Sequence, residues 1–349
     1  MNPPAIAVCG LSGSGKTTLV EALLPRLRKL GLSVGVLKHD AHRLQLDTPG
    51  KDTARFWEAG AAVVAAHDPT QVFIRLNRQP NSIGELITAV PAALDLLIVE
   101  GHKASPLPKI WLGATGKGAR PSPPVLASLA GKARLVERAE KAVLEWLHAQ
   151  WDARPVGLAF MVGGGSSRMG APKAMMDFGG RPLLSVLVDR LGGCVDSEPV
   201  LVGDGPVPPD LAGRTKCLPD APGLAGPVAG IVSLLKWADS RAWIVLAIDM
   251  PAMKPAYLRW LMRQRKPGVW AVMPRRRKGV KAEPLAAVYE PQSTGHLLKS
   301  YETKQMSVRK LLRWPKARRP VVPKQLSCCL QNVNTPPQWR RFLEEGARR

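Results

Sequence analysis

Ala5-Ile6-Ala7-Val8-Cys9 runs directly into Gly10-Leu11-Ser12-Gly13-Ser14-Gly15-Lys16-Thr17. Gly157-Leu158-Ala159-Phe160-Met161-Val162 runs just as directly into Gly163-Gly164-Gly165-Ser166-Ser167-Arg168-Met169-Gly170-Ala171-Pro172-Lys173. Each is an apolar strand followed by a glycine-rich turn, and a turn of this kind before a helix aims free backbone N–H groups at one anion. Two such loops, about a domain's length apart, predict two fused nucleotide-binding α/β domains.

Working outward, the first half alternates strand and helix signals. Strands are expected at 5–9, 33–38, 91–100, 110–112 and 124–127. Helices are expected at 16–30, with Leu19, Val20, Leu23, Leu24 and Leu27 at helical spacing before Gly31, and at Leu135–Trp151. Asp152-Ala153-Arg154-Pro155 breaks the pattern, which sets the expected domains at 1–152 and 155–349. The second half starts afresh with a strand at 156–162 and a helix with Pro182 at its first position. Further strands are expected at 199–202, 242–248, 269–273 and 284–289, and helices at 226–238, from Pro255, at 306–313 and at 336–345.

The chain has 349 residues, enough for two packed cores. Fifty Lys and Arg against 27 Asp and Glu give a net charge of +23. Such a charge calls for polyanionic substrates or partners. The basic residues are spread along the chain, with short runs at Arg275–Lys278 and Arg313–Arg319. No helix-turn-helix, zinc-finger or RNP signature accompanies them, and with only three Tyr and five Phe base stacking is poorly served. Phosphate steering without nucleic-acid binding is therefore the expectation. Five cysteines without a CxxC pair fit buried thiols in a reducing compartment. With no apolar run of membrane length and no leader-like N-terminus, the sequence reads as cytoplasmic.

The first loop is Gly-x4-Gly-Lys-Thr in the strand–loop–helix context that the motif requires. Gly10, Gly13, Ser14, Gly15, Lys16, Thr17 and Thr18 are its expected nucleotide contacts; Lys16 reaches the β- and γ-phosphates, and the Thr17 hydroxyl is a Mg2+ ligand. Glu100, closing Leu97-Ile98-Val99-Glu100, stands where a second carboxylate is expected, and no general base or arginine finger is visible. His39 and His42 are three apart, but two imidazoles without a third ligand are more often phosphate-contacting or structural than metal-binding. With Lys38-His39-Asp40-Ala41-His42, Asp47-Thr48-Pro49-Gly50-Lys51-Asp52 and Glu100-Gly101-His102-Lys103, residues 1–150 resemble the MobB family, the GTP-binding adapter of molybdenum cofactor guanylylation. That resemblance implies a P-loop NTPase-like fold, weak GTP binding and turnover, and an assisting role. Expected partners are molybdoenzymes or other cofactor-biosynthesis proteins, and a second copy through the N-terminal domain.

In the second loop the glycines let backbone approach phosphate, while Arg168 and Lys173 supply cationic charge. Asp249 closes Leu246-Ala247-Ile248-Asp249. A carboxylate there is costly unless a cation or hydrogen bonds serve it, and Mg2+ is the natural partner. Asp220 precedes another helix N-terminus and reads equally well as an ordinary turn residue. Asn332 and Asn334, two apart in an extended segment, put two amides on one side for a heterocycle or phosphate, unless they serve the helix capped at Thr335.

In this order, and with Phe178–Leu184, Glu283–Tyr289 and Ser307–Leu312, residues 155–349 resemble the MobA family of molybdenum cofactor guanylyltransferases. The resemblance implies a Rossmann-like nucleotidyltransferase fold of the nucleotide-diphospho-sugar transferase type, with GTP and molybdopterin as substrates and Mg2+ as cofactor. It implies GTP contacts at Met161, Val162, Gly163, Gly164, Lys173, Asp220 and Asp249, metal binding at Asp249, and catalytic roles for Arg168, Lys173 and Asp249. A family Asn aligns near Gly203. Guanine and cytosine are not distinguished by these motifs, so a cytidylyl- or sugar-phosphate nucleotidylyltransferase with a P-loop regulatory domain remains the alternative.

Overall fold

The structure is a computed structural model and describes residues 2–38, 50–76, 82–90, 93–113, 122–131, 133–163, 170–302 and 314–347. The chain divides into two compact units. One comprises Asn2–Arg28 with Val34–Val143; the other comprises Leu144–Arg349 with Lys29–Ser33 and Met1.

The N-terminal unit is built on a parallel sheet. Its elements are β1 (Ala5–Gly10), α1 (Lys16–Lys29), β2 (Val34–Lys38), α2 (Asp52–Glu58), β3 (Val63–His67), β4 (Val72–Leu76), α3 (Ile83–Thr88), β5 (Leu96–Glu100), β6 (Lys109–Leu112) and β7 (Val125–Leu129). The strand order is β2-β5-β1-β6-β7, and every pairing in this sheet is parallel. β1 and β5 at its centre are buried on both faces, which is why they read as unbroken apolar runs rather than alternating ones. Helix α1 turns Leu19, Val20, Leu23 and Leu27 inward. Helix α4 (Leu135–Asp152) follows the expected span and crosses the point where the two units divide.

Three elements here have no counterpart in the sequence reading: α2, α3 and the antiparallel β3–β4 ribbon. The ribbon forms its own two-stranded sheet, and Val63, Val72, Ile74 and Leu76 on it are exposed. Apolar residues left in solvent carry no clean inside–outside period, so the pattern was weak.

The C-terminal unit has the sheet order β10-β9-β8-β11-β13-β12-β14. Its strands are β8 (Val156–Met161), β9 (Val200–Val202), β10 (Lys216–Leu218), β11 (Ala242–Ala247), β12 (Ala271–Val272), β13 (Ala286–Tyr289) and β14 (Ala317–Arg318). β13 runs antiparallel to both its neighbours, and the other pairings are parallel. Helices are α5 (Leu183–Leu191), α6 (Pro227–Trp237), α7 (Pro255–Met262), α8 (Ser293–Glu302) and α9 (Pro336–Ala347). Alternate strand residues feed opposite faces, as the two-residue strand period demands. Leu158, Phe160, Ile244 and Leu246 pack with Leu187 and Leu191 of α5 and Leu258 and Leu261 of α7. Ala159, Trp243 and Val245 pack with Ile231, Leu234 and Leu235 of α6. The result is a mixed sheet between two helical layers.

Pro182 stands just before α5, extended at φ −55° and ψ 136°, rather than inside its first turn. The helix expected at 306–313 lies outside the described residues. No described helix is long and apolar enough to cross a membrane.

Candidate functional site

At the carboxyl ends of β8, β9 and β11, a cleft of about 700 Å³ opens in the C-terminal unit. That is within the size range of small-molecule sites, and such sites form where strand ends leave a crevice. Its lining brings together Met161, Val162, Gly163, Lys173, Asp220 and Asp249, residues up to 88 positions apart that the sequence reading had singled out separately. Gly164 and Arg168 lie outside the described residues.

Lys173 opens a short 3-10 turn, Lys173–Met175, and its ammonium is the hub of the cleft. Nζ donates to Asn334 Oδ1 at 2.5 Å and stands 3.7 Å from Asp249 Oδ2. Asp249 lies two residues beyond the end of β11, its backbone held by Val333 N–H donating to Asp249 O at 2.8 Å. Its Oδ1 is buried with no hydrogen-bond partner among the described residues. Burial raises the Asp249 carboxyl above its usual range, against the opposing pull of Lys173. Asp220 is also raised, by burial and then by the charge of Asp204, another residue of the cleft wall.

Two glycines pack closely against the lining of the cleft. Gly203 sits at φ +109°, and a Cβ there would lie 2.8 Å from Gly163 N. No side chain fits at this position, so the family Asn has no room where Gly203 packs on the second loop's first residue. Gly230, in α6, leaves space for two cleft residues, because a Cβ there would meet Met161 Cε at 2.2 Å and Asp220 Oδ1 at 3.1 Å.

Asn332 and Asn334 do not share one role. Val333 between them is buried, Asn334 reaches Lys173, and Asn332 is exposed and outside the cleft lining. The backbone N–H of Asn334 donates to Gln338 Oε1 at 2.8 Å, so this segment also serves the start of α9.

In the N-terminal unit, Gly10, Gly13 and Gly15 all take positive φ, which gives the first loop its tight turn. Thr17 Oγ1 donates to Glu100 Oε1 at 2.7 Å, bringing together the helix start and the end of the central strand β5. Glu100 is 8% exposed and faces Val8 of β1 and Lys38 of β2 in the sheet register. Lys16 Nζ donates back to Leu11 O at 2.8 Å and Gly10 O at 3.4 Å, curled over its own loop. Ser14 Oγ is buried without a hydrogen-bond partner among the described residues, while Thr18 is exposed on α1. His39, His42 and Asp47 lie outside the described residues.

The profile of "Molybdopterin guanine dinucleotide synthesis protein B" (MobB) matches residues 5–128, and that of the "MobA-like NTP transferase domain" matches 159–321. Over 111 residues the chain is 41% identical to the molybdopterin-guanine dinucleotide biosynthesis adapter protein of Haemophilus influenzae, covering 31% of this chain and 62% of that protein. It is 35% identical to the Escherichia coli adapter over 122 residues, 34% of this chain and 70% of the other. Over 187 residues it is 33% identical to the probable molybdenum cofactor guanylyltransferase of Opitutus terrae, covering 51% of this chain and 90% of that protein.

The chain belongs to the MobB adapter family in its N-terminal region and to the molybdenum cofactor guanylyltransferase family in its C-terminal region.

The chain thus spans about three fifths of the Haemophilus influenzae adapter's length. The guanylyltransferase region contains the whole cleft. Sequence reasoning missed two of that region's acidic residues: Asp204 on the cleft wall, and Glu283, half-buried and raised first by burial and then by the charge of Asp249. Asp204 follows the carboxyl end of β9, beside the loop strand β8, and that position was the available signal. Glu283 stood within Glu283–Tyr289, but Asp249, whose charge acts on it, is 34 residues away.

Proposed function

We propose that the chain transfers GMP from GTP to the terminal phosphate of molybdopterin, giving the guanine dinucleotide cofactor and pyrophosphate. A phosphate oxygen of molybdopterin forms a bond to the α-phosphorus, and the bond from that phosphorus to the β-phosphate's bridging oxygen breaks. Pyrophosphate leaves with the electron pair. A phosphate monoester is already anionic at neutral pH, so the step needs no strong general base. The obstacle is anion meeting anion.

The observation that carries this reading is the convergence of Lys173, Asp220 and Asp249 in one cleft with the backbone of Met161–Gly163. Lys173 neutralises the triphosphate, and Arg168 and Gly164 complete the loop as the sequence leads one to expect. Asn334 holds the Lys173 ammonium in place.

Mg2+ fits this donor set. The buried, unpartnered Oδ1 of Asp249 is an acceptor waiting for a cation. Among the described residues no three His, Cys, Asp or Glu are grouped to hold a metal. Mg2+ binds through one or two carboxylates together with substrate phosphates and water, so the Asp249 carboxylate is a sufficient protein ligand for it. When bound, it supplies charge neutralisation at the triphosphate. In the N-terminal unit, Thr17 and Glu100 are the corresponding donors.

The N-terminal domain, 1–152, is read as a GTP-binding adapter with weak turnover, and 155–349 as the transferase. The exposed apolar face of the β3–β4 ribbon supports self-association through the N-terminal domain, and the adapter's other partners are cofactor-biosynthesis proteins or molybdoenzymes. The test is product formation by the full chain on molybdopterin with GTP, CTP and ATP in turn. Guanine dinucleotide and pyrophosphate in equal amounts are expected; a cytosine dinucleotide instead overturns the base assignment.

A further inference from the structure

We propose that the Arg275–Lys281 loop and Arg319 form the docking surface for the anionic acceptor, on the β12–β14 side of the cleft. The sheet sets the place. β11 and β12 both run antiparallel to β13, and β14 runs parallel to β12, so β8, β9, β11, β12 and β14 all end on the edge where the cleft opens. Beyond β12 and β14 the chain stays paired. Met273 N–H donates to Arg318 O at 2.9 Å, Arg275 N–H to Pro320 O at 2.9 Å and Val322 N–H to Arg275 O at 3.0 Å. Arg275 Nε donates to Arg319 O at 3.0 Å, which ties the basic loop to the basic strand end. The neck of the loop closes where Glu283 N–H donates to Pro274 O at 2.7 Å, two residues before Leu285 of the cleft wall. The loop thus springs from the rim of the cleft, and its cations lie outside the lining.

Charge is divided across this edge. Toward β9 and β10 the cleft wall carries Asp204 and Asp220. Toward β12 and β14, residues 275–281 hold Arg275, Arg276, Arg277, Lys278 and Lys281 and no carboxylate, and no Asp or Glu occurs between Glu302 and Glu344. Glu290 is already engaged by Arg154 and Arg265, which leaves Glu283 at the neck against the loop's cations. Arg276, Arg277, Lys278 and Lys281 are exposed, and no ion pair to them occurs among the described residues. Arg319 Nη2 donates to Trp314 O at 2.9 Å, while its Nε is buried with no hydrogen-bond partner among the described residues. Burial, and then the charge of Arg275, lowers the Arg319 guanidinium. Like charges gathered at the mouth of a cleft draw in an anion, and the guanidinium fork matches phosphate oxygens. A phosphate monoester carries nearly two negative charges at neutral pH, so the acidic wall repels it. The acceptor therefore enters from the β12–β14 side and meets the nucleotide over Lys173 and Asp249.

This inference rests on the transferase reading, which supplies the phosphate-monoester acceptor, and a binding measurement separates the two. Molybdopterin is dialysed to equilibrium against the full chain without GTP, and transfer is measured beside it. Arg276→Gln, Arg277→Gln and Lys278→Gln together are expected to weaken molybdopterin binding about tenfold or more and to flatten its dependence on salt. The KM for GTP should stay within about twofold. A control removes the same charge elsewhere, through Lys216→Gln, Lys236→Gln and Arg340→Gln, and should keep the parent's affinity. Acceptor affinity within about twofold of the parent in the loop variant, while transfer continues, overturns the inference and leaves the transferase reading intact. An equal loss in the control traces the effect to net charge and overturns the inference too. A parent chain that binds no molybdopterin overturns the inference; one that transfers no GMP overturns the transferase reading. Should the triple variant fail to fold, Arg277→Gln and Lys278→Gln singly decide: unchanged affinity in both overturns the proposal equally.

Discussion

Lys173 and Asn334 are 161 residues apart in sequence, and the Lys173 ammonium donates to the Asn334 side-chain oxygen at 2.5 Å. One residue belongs to the second glycine loop and the other to the segment that leads into α9. The contact therefore aims the main described cation of the cleft from outside the loop that carries it.

Removing that aim should cost catalysis more than folding. A hydrogen bond to a charged group contributes about 1.5–3 kcal/mol, so Asn334→Ala is expected to lower kcat/KM for transfer by roughly tenfold to a hundredfold. Steady-state kinetics at saturating molybdopterin, beside an unchanged melting temperature, would bear this out. A wild-type rate would show that Lys173 needs no support.

Lys173→Ala and Asp249→Ala should each lose most transfer activity while still folding. One preorganised charge at a reacting phosphate accounts for about 3 kcal/mol, or roughly a hundredfold in rate. Near wild-type turnover by either variant refutes the placement of the triphosphate in this cleft.

Asp220 offers a pH test. Its folded carboxyl is raised, first by burial and then by Asp204. A raised carboxyl favours folding below its ordinary range, and that contribution is lost as pH climbs to the folded value. Above it, the charged residue is a burden on the fold. Asp220→Asn should therefore raise the thermal midpoint at neutral pH, with the gain vanishing as the solution is acidified through the ordinary carboxylate range. A gain independent of pH would place its origin in packing instead.

The Glu290 side chain, 2% exposed, accepts from Arg154 at 2.8 Å and from Arg265 at 2.6 Å, both also nearly buried. Removing one partner from a buried ionic group typically costs about 3–5 kcal/mol, so Glu290→Ala should shift urea unfolding of the C-terminal unit by an amount of that order. A shift below the scatter of replicate curves would mean that water reaches the two guanidinium groups.

The P-loop should be separable from the transfer chemistry. Lys16→Ala is expected to abolish GTP binding by the N-terminal unit while leaving transfer at saturating GTP within about twofold, as for independent sites. A loss of transfer comparable with that of Lys173→Ala would contradict the adapter role.

Much of this was legible in the residues. The runs Ala5–Cys9, Leu96–Val99 and Gly157–Val162 read as strands because covering both faces makes them unbroken apolar runs. The two glycine-rich loops that carry Lys16 and Lys173, and the strand end that carries Asp249, were legible because such loops need particular residue types at fixed spacing. The β3–β4 ribbon was not legible, since Val72, Ile74 and Leu76 face solvent and so lack the alternation that burial imposes. The two amides of Asn332-Val333-Asn334 were visible as a pair, but nothing local says that only Asn334 meets Lys173.

By itself the sequence determined that two glycine-rich loops sit on two α/β units, because strand, turn and helix preferences act within a dozen residues. Only the tertiary structure decided which distant groups meet: Thr17 with Glu100, and Lys173 with Asp249 and Asn334. Electrostatic coupling depends on distance through space and on burial, and neither is set until the sheet register is.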